Sequence, residues 1–124
     1  MTDRIRYTVE NGIVRITLAG KTSPDELSDV TTEIANKHQK TIPHIRIILD
    51  VRRASFFGKP EDLKVIVKKF REHHNKFDLI KLAIVLQNPY ETAISIIFQK
   101  MARDISNLLI NVFSTEQAAL LWLT

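Results

Sequence analysis

The first residues of the chain alternate between apolar and polar side chains, which is typical of a strand with one face in water. Over residues 4–10 every second side chain is apolar. Asn11-Gly12 follows, and this pair favours a tight hairpin turn because both central turn positions need positive φ. A second alternating run covers residues 13–19, and Gly20 is expected to end it. The chain is therefore predicted to open with an antiparallel hairpin.

Helical and strand periodicities then follow one another along the rest of the chain. Ser23-Pro24-Asp25-Glu26 has the form of a helix start, with an N-cap, a proline in the first position and carboxylates near the positive helix end. Residues 45–51 are almost continuously apolar, which indicates a strand covered on both faces. Further helices are predicted to begin near residues 60, 89 and 114, the last with a capping box from Ser114 to Gln117, and further strands cover residues 82–86 and 108–113.

The resulting order is β-β-α-β-α-β-α-β-α, which predicts the α/β class. We expect one domain over residues 1–124, with a mixed, mainly parallel sheet of about five strands, a leading hairpin and four helices. In such sheets a site gathers where parallel strands end and helices begin. Here those joints are residues 50–59, 87–90 and 113–115.

Composition limits the class of protein. The chain has 124 residues, 44% hydrophobic and 26% charged, which suits a globular domain with its own core. It has no cysteine, so disulfides, thiolate metal sites and cysteine nucleophiles are excluded. Its apolar runs are far shorter than the roughly 20 residues that span a bilayer, and the N-terminus lacks the apolar segment of a signal peptide. A cytoplasmic location is therefore expected.

A family resemblance rests on two segments and on the element order. The strand Ile45–Val51, placed before the second helix, resembles that of the STAS domain, found in anti-sigma factor antagonists and in the cytosolic tails of sulfate transporters. Residues 113–123 resemble the Phe-Ser-x-x-x-x-Ala-x-x-Trp-Leu ending of a small bacterial STAS-like branch whose members are mostly uncharacterised. The resemblance implies a non-catalytic regulatory module that binds a partner protein.

One departure from the family pattern concerns regulation. In the antagonists, a serine at the start of the second helix is phosphorylated by a partner kinase, which breaks the complex. The corresponding residues 58–60 are Gly-Lys-Pro, and Ser55 lies several positions earlier. The fold is therefore expected without that phosphorylation switch.

Signatures of catalysis are missing from the sequence. Three glycines are too few for a Walker loop or a dinucleotide fingerprint, and no Gly-x-Ser-x-Gly elbow occurs. The histidines are His38, His44, His73 and His74, and no spacing puts two of them on one helix face. We expect His74 to be half-buried and His73 to face water. No enzyme activity, metal or cofactor is expected.

The segment over residues 52–60 combines cations with aromatic rings just before a helix start, where unpaired N–H groups favour an anion or a partner carboxylate. The candidate partner- or anion-binding residues are Arg52, Arg53, Ser55 and Lys59. In the alternative interpretation, Phe56 and Phe57 close the end of the core, and the arginines pair with local acids such as Asp50.

Positive charge concentrates over residues 52–81, which hold nine basic and four acidic positions. Clustered Lys and Arg favour nucleic-acid binding. However, Glu72 can pair with Lys68 or with Lys76 at four-residue spacing, and no helix-turn-helix or aromatic platform is recognisable. We therefore expect a solvated helix face, and nucleic acid is not an expected partner.

The third helix carries apolar residues on more than one side. Its main stripe consists of Ile94, Ile97, Phe98, Met101 and Ile105. Ile96 lies off that stripe, so the helix is either packed on two sides or partly an interface. The second case predicts a homodimer through this helix.

A small apolar or anionic ligand is the alternative to a protein partner, since the related CRAL-TRIO domain carries lipids. The candidate pocket residues are Phe56, Phe57, Phe98, Phe113 and Trp122. The simpler interpretation makes most of them ordinary core residues. A core without a cavity of roughly 300 Å³ or more would argue against a ligand carrier.

Overall fold

A computed structural model describes residues 5–56 and 60–124, apart from the side chains of Phe56 and Pro60. The strands are β1 (Ile5–Glu10), β2 (Ile13–Thr22), β3 (His44–Phe56), β4 (Leu79–Val85) and β5 (Leu108–Phe113). The helices are α1 (Pro24–His38), α2 (Leu63–His73), α3 (Pro89–Met101) and α4 (Glu116–Leu123). Short 3₁₀ turns, Pro60–Asp62 and His74–Lys76, flank α2.

The five strands form one mixed sheet in the order β1-β2-β3-β4-β5. β1 and β2 are antiparallel, and the turn between them places Asn11 and Gly12 at φ values of 53° and 77°. The remaining neighbours are parallel, so that Ile47 of β3 lies between Val14 of β2 and Leu82 of β4. The predicted fold class and element order are confirmed.

Alternate residues of the central strands point into two separate clusters, because successive side chains of a strand face opposite sides of the sheet. Ile47 belongs to a large cluster with Val30 of α1, Ile66 of α2 and Phe98 of α3. Its neighbour Ile48 belongs to a smaller cluster that includes Ala119 and Leu123 of α4. Helices α1, α2 and α3 therefore cover one face, and α4 packs against the other.

Helices α1 and α4 begin at side-chain caps, and the cap of α4 corrects the prediction by one residue. Before α1, the Ser23 hydroxyl accepts a hydrogen bond from the Glu26 amide at 3.3 Å, and the Glu26 carboxylate accepts one from the Ser23 amide at 3.2 Å. Before α4, the cap is Thr115, whose hydroxyl accepts from the Ala118 amide at 3.2 Å. The predicted Ser114 cap is wrong by one residue, because the backbone is still extended at Thr115.

Apolar residues at helical spacing run from Leu63 to Phe77 and from Ile94 to Ile105, which predicts longer helices than the structure has. α2 ends at His73 and α3 ends at Met101. Phe77 and Ile105 are nevertheless buried, because the turns that follow each helix fold back onto the core. In these two segments, the apolar spacing therefore predicts which residues are buried but not where the helix ends.

Candidate functional site

The predicted loop after Asp50 is a continuation of the sheet. Beyond a register shift, residues 19–22 of β2 pair with residues 53–56 of β3, from Ala19 opposite Arg53 to Thr22 opposite Phe56. We call these two paired segments the ribbon. Gly20 does not end its strand: it adopts φ 72° within the ribbon, a backbone conformation that glycine adopts readily and that often marks an irregular strand. Pairing between distant segments here overrides the local signal.

The two faces of the ribbon differ in character. Ala54 packs against the large core cluster, and Thr22 is 1% exposed. Arg53 and Ser55 alternate with Ala54 and are exposed. In the described parts of the chain Arg53 has no ion-pair partner, so its guanidinium remains available. The structure therefore brings two of the predicted site residues together on one side of the ribbon.

Arg52 is held by intramolecular ion pairs. Its guanidinium donates to both carboxylate oxygens of Asp50, at 3.0 Å and 2.8 Å, and the Arg52 amide donates to Asp50 Oδ1 at 3.1 Å. Arg52 also lies 3.9 Å from Glu116 in the first turn of α4, and Arg15 of β2 pairs with the same carboxylate. Arg52 therefore fits the alternative interpretation, in which the arginines pair with nearby acidic residues.

This network changes the protonation of Asp50. The side-chain hydrogen bond from Arg52 lowers the pKa of Asp50 below its ordinary value of 3.8, against an opposing effect of partial burial. The same hydrogen bond raises the pKa of Arg52. Asp50 thus stays ionised at a pH low enough to protonate a free carboxyl group.

Three predicted site residues have incomplete descriptions. Lys59 and Phe57 lie outside the described residues, and of Phe56 only the backbone is described. Their roles in partner binding or in a pocket remain predictions.

The remaining aromatic residues of the predicted pocket do not share a cavity. Phe98 lies in the cluster beneath α1, α2 and α3, with its ring centroid 5.9 Å from that of Phe70. The rings of Phe113 and Trp122 lie on the α4 side of the sheet, with their centroids 5.7 Å apart. The sheet separates the two groups, because β5 and α4 direct their rings to the face opposite α3.

A narrow cavity of about 110 Å³ does lie between the sheet and helices α1, α2 and α3. Its lining is mainly apolar and includes Phe98, Thr22 and His73. Thr22 Oγ1 and His73 Nδ1 are buried, and neither has a hydrogen-bond partner among the described residues. The cavity is smaller than the roughly 300 Å³ that a drug-sized ligand requires.

His73 corrects an expectation from the sequence. It is half-buried and lines the cavity, whereas the helical spacing predicts a solvated side chain. Burial lowers the pKa of His73 from its ordinary value of 6.5. His74 is half-buried as predicted, and its Nδ1 lies 2.9 Å from Asn107 Oδ1. Within the described residues, no three potential metal-ligating side chains form a cluster.

The charges of α2 are paired differently from the prediction. Glu72 pairs with Lys69 at 3.5 Å, and Lys76 donates to Asn36 at 3.0 Å. The predicted pairs of Glu72 with Lys68 and Lys76 do not occur, because Lys69 takes the carboxylate at three-residue spacing. Arg71 forms a bidentate pair with Asp104 at 2.6 Å and 2.7 Å.

Helix α3 keeps part of its apolar surface in water. Ile96 is 41% exposed and Ile97 is 37% exposed, although the stripe predicts burial for Ile97. Tyr90 on the same helix is 51% exposed. The homodimer through α3 remains a prediction. No helix in the described part of the chain has the length and apolar character needed to cross a membrane.

Comparisons with known proteins agree on the fold. A SpoIIAA-like family model matches residues 13–124. An uncharacterised protein of the DUF3478 family with a SpoIIAA-like fold, from Shewanella loihica PV-4, aligns with a TM-score of 0.63 and 16% identity over 97% of this chain and 92% of its own. No curated protein matches the chain.

Two further solved structures are similar. An anti-sigma-factor antagonist (STAS) domain protein from Planctomyces limnophilus aligns with a TM-score of 0.60 and 18% identity over 97% of both chains. The anti-sigma factor antagonist SpoIIAA in its unphosphorylated form aligns with a TM-score of 0.53 and 16% identity over 94% of both chains. At these identities the structures show a shared fold.

The Arg52–Asp50 pair makes stability depend on pH. Since the pKa of Asp50 is lowered in the folded state, its stabilising effect is fully present above about pH 4 and is lost as pH falls through the folded-state pKa. We expect Asp50→Asn to lower the free energy of unfolding by about 1–2 kcal/mol at pH 7. Urea unfolding should show this difference shrinking as the pH falls below 4.

The matched control is Asp29→Asn on α1, because Asp29 is exposed and has no ion-pair partner in the described ranges. It should change stability little at either pH. A loss in Asp50→Asn that stays constant as the solution is acidified would contradict a stabilising role for the pair.

Proposed function

We propose that this chain, which belongs to the SpoIIAA-like family, is a non-catalytic regulatory module that works by binding a partner protein through the ribbon. The proposal places it in the cytoplasm and requires no cofactor. The observation that carries it is the exposure of Arg53 and Ser55 on one side of a strand pair that extends beyond the rest of the sheet.

The backbone of the ribbon supports a binding role. β4 ends at Val85, which pairs with Asp50. Among the described residues, residues 52–56 of β3 therefore have no strand partner on the β4 side, whereas residues 53–56 are paired with β2 on the other side. Such an edge offers N–H and C=O groups to an incoming segment. A partner could combine these backbone contacts with a carboxylate directed at Arg53.

Regulation by phosphorylation at the start of α2 does not fit this chain. Residues 56–89 contain no serine, threonine or tyrosine. Ser55, the nearest hydroxyl, is exposed on the ribbon beside Arg53. We propose that binding at the ribbon is controlled without the serine switch that the STAS resemblance implies.

The ribbon proposal predicts that Arg53→Glu/Lys59→Glu reduces partner capture at least tenfold without lowering the melting temperature. Charge reversal repels a partner carboxylate, and Arg53 lies outside the Asp50 network. Arg52 is left intact because its reversal would break ion pairs within the fold. The measurement is affinity capture from the source cells, quantified by mass spectrometry and repeated with the purified partner.

The matched control is Lys37→Glu/Lys40→Glu, which makes the same change in net charge at the end of α1. It should capture the partner as well as the wild-type chain does. Equal capture by the ribbon variant and the wild-type chain would reject the proposed site.

Binding of a small ligand is the second candidate function. It rests on the Thr22 hydroxyl, which is 1% exposed, lines the cavity and lacks a hydrogen-bond partner among the described residues. A buried hydroxyl without a partner costs about 1–3 kcal/mol, which a polar ligand atom would offset. A cavity of about 110 Å³ restricts such a ligand to a few heavy atoms.

Thr22→Val separates the two candidates. If the cavity holds no ligand, valine removes the unpaired hydroxyl at similar shape and raises the free energy of unfolding by about 1 kcal/mol. If a ligand bonds to the hydroxyl, the variant is less stable than the wild-type chain as purified, and more stable after both are unfolded and refolded without ligand. Urea unfolding measures both states, with Thr8→Val on the exposed face of β1 as the control. Our leading proposal expects the first result.

A further inference from the structure

We infer that the groove between α2 and α3 docks an acidic amphipathic helix of a partner protein. Lys64, Val67, Lys68 and Arg71 of α2 and Met101 of α3 line this open groove. It is a second surface, beyond the ribbon proposal. α2 packs on the same side of the sheet as Ala54, whereas Arg53 and Ser55 point to the opposite side.

Two cations of the groove are uncommitted. Lys64 and Lys68 are exposed, and in the ranges that the structure describes neither forms an ion pair. The acid that the sequence offers to Lys68 is Glu72, and Lys69 takes it. Among the described residues, the two ammonium groups of the groove therefore have no carboxylate within ion-pair distance.

The third cation, Arg71, is bonded to residues at the end of α3. Arg71 pairs with Asp104, just beyond α3, and also donates to the Met101 carbonyl at 3.4 Å. These contacts tie the end of α2 to the end of α3.

The floor of the groove is apolar. Val67 is 5% exposed, and Met101 is half-buried. Ile97 precedes Met101 by about one helical turn and is 37% exposed, so it extends the same apolar strip along α3. A partner must therefore bring apolar side chains into the groove as well as negative charge to its edge.

Helical spacing matches these requirements. Lys64 and Lys68 are four residues apart, which places them about 6 Å apart along α2. A partner helix with Asp or Glu at four-residue spacing repeats the same distance, and its adjacent apolar stripe faces Val67 and Met101. Helix-in-groove binding of this kind is a recurrent mode of peptide recognition.

The small number of unpaired cations and the shape of the groove disfavour other anionic partners. Recognition of anionic membranes typically uses four to eight clustered cations, whereas this groove has two uncommitted ones. Its apolar side chains form the floor of a groove, where a flat bilayer would not reach them. It has no aromatic side chain in its lining for nucleic-acid bases to stack on.

The test is a titration followed by ¹⁵N–¹H spectra at low ionic strength. The probe is a synthetic helical peptide with Glu at four-residue spacing beside a leucine stripe, and a second peptide carries Lys in place of Glu. We expect the acidic peptide to shift the amide signals of residues 64–71 and 97–101. Lys64→Glu/Lys68→Glu should weaken its binding about tenfold or more, and Ile97→Gln about threefold.

The variant Arg53→Glu/Lys59→Glu is the matched control, because it makes the same change in net charge without altering a residue that lines the groove. It should bind the acidic peptide as the wild-type chain does, so failure of the groove and failure of the ribbon give different results. The inference is overturned if the acidic peptide shifts no groove signals at millimolar concentration, or if the Lys64→Glu/Lys68→Glu variant binds it equally. Stronger binding of phosphatidylglycerol vesicles or duplex DNA than of the acidic peptide would also overturn it.

Discussion

Parallel pairing between β2 and β3 continues past the end of β4, and the geometry of the candidate site depends on it. Up to Asp50, β3 lies between two strands and is part of the sheet interior. From Arg53 onward it has β2 as its only strand neighbour among the described residues. The backbone hydrogen bonds of this pairing hold the ribbon extended, so its side chains alternate strictly between core and solvent. Ala54 anchors the ribbon to the core, and Arg53 and Ser55 are displayed as a result.

The ion pairs at Glu116 fix a second part of this arrangement. Arg15 and Arg52, from adjacent parallel strands, both approach the carboxylate in the first turn of α4. An acidic side chain at that position also suits the positive end of the helix. The contact holds the start of α4 over β2 and β3, and it separates Arg52, which is committed to the fold, from Arg53, which is available to a partner.

Sequence patterns predict the fold here better than the site. The apolar periods of residues 45–51 and 82–86 identify two strands buried on both faces, and the hairpin signal at Asn11-Gly12 is confirmed. The prediction that Gly20 ends its strand is wrong, because a local signal carries no information on the pairing of β2 with residues 53–56. The charges of α2 mislead for a similar reason: spacing alone cannot decide whether Lys68 or Lys69 takes Glu72. The burial of Thr22 and His73 in the cavity depends on three helices meeting, which no single segment encodes.

Hydrogen exchange on the complex with the captured partner tests the central claim most directly. If the ribbon is the binding surface, partner binding slows exchange of the backbone amides of residues 52–56 relative to the free chain, because the outer edge of β3 becomes paired or covered. The amides of β1, at the far edge of the sheet, exchange at an unchanged rate. Unchanged exchange over residues 52–56, with protection confined to β1 or α1, would contradict the account.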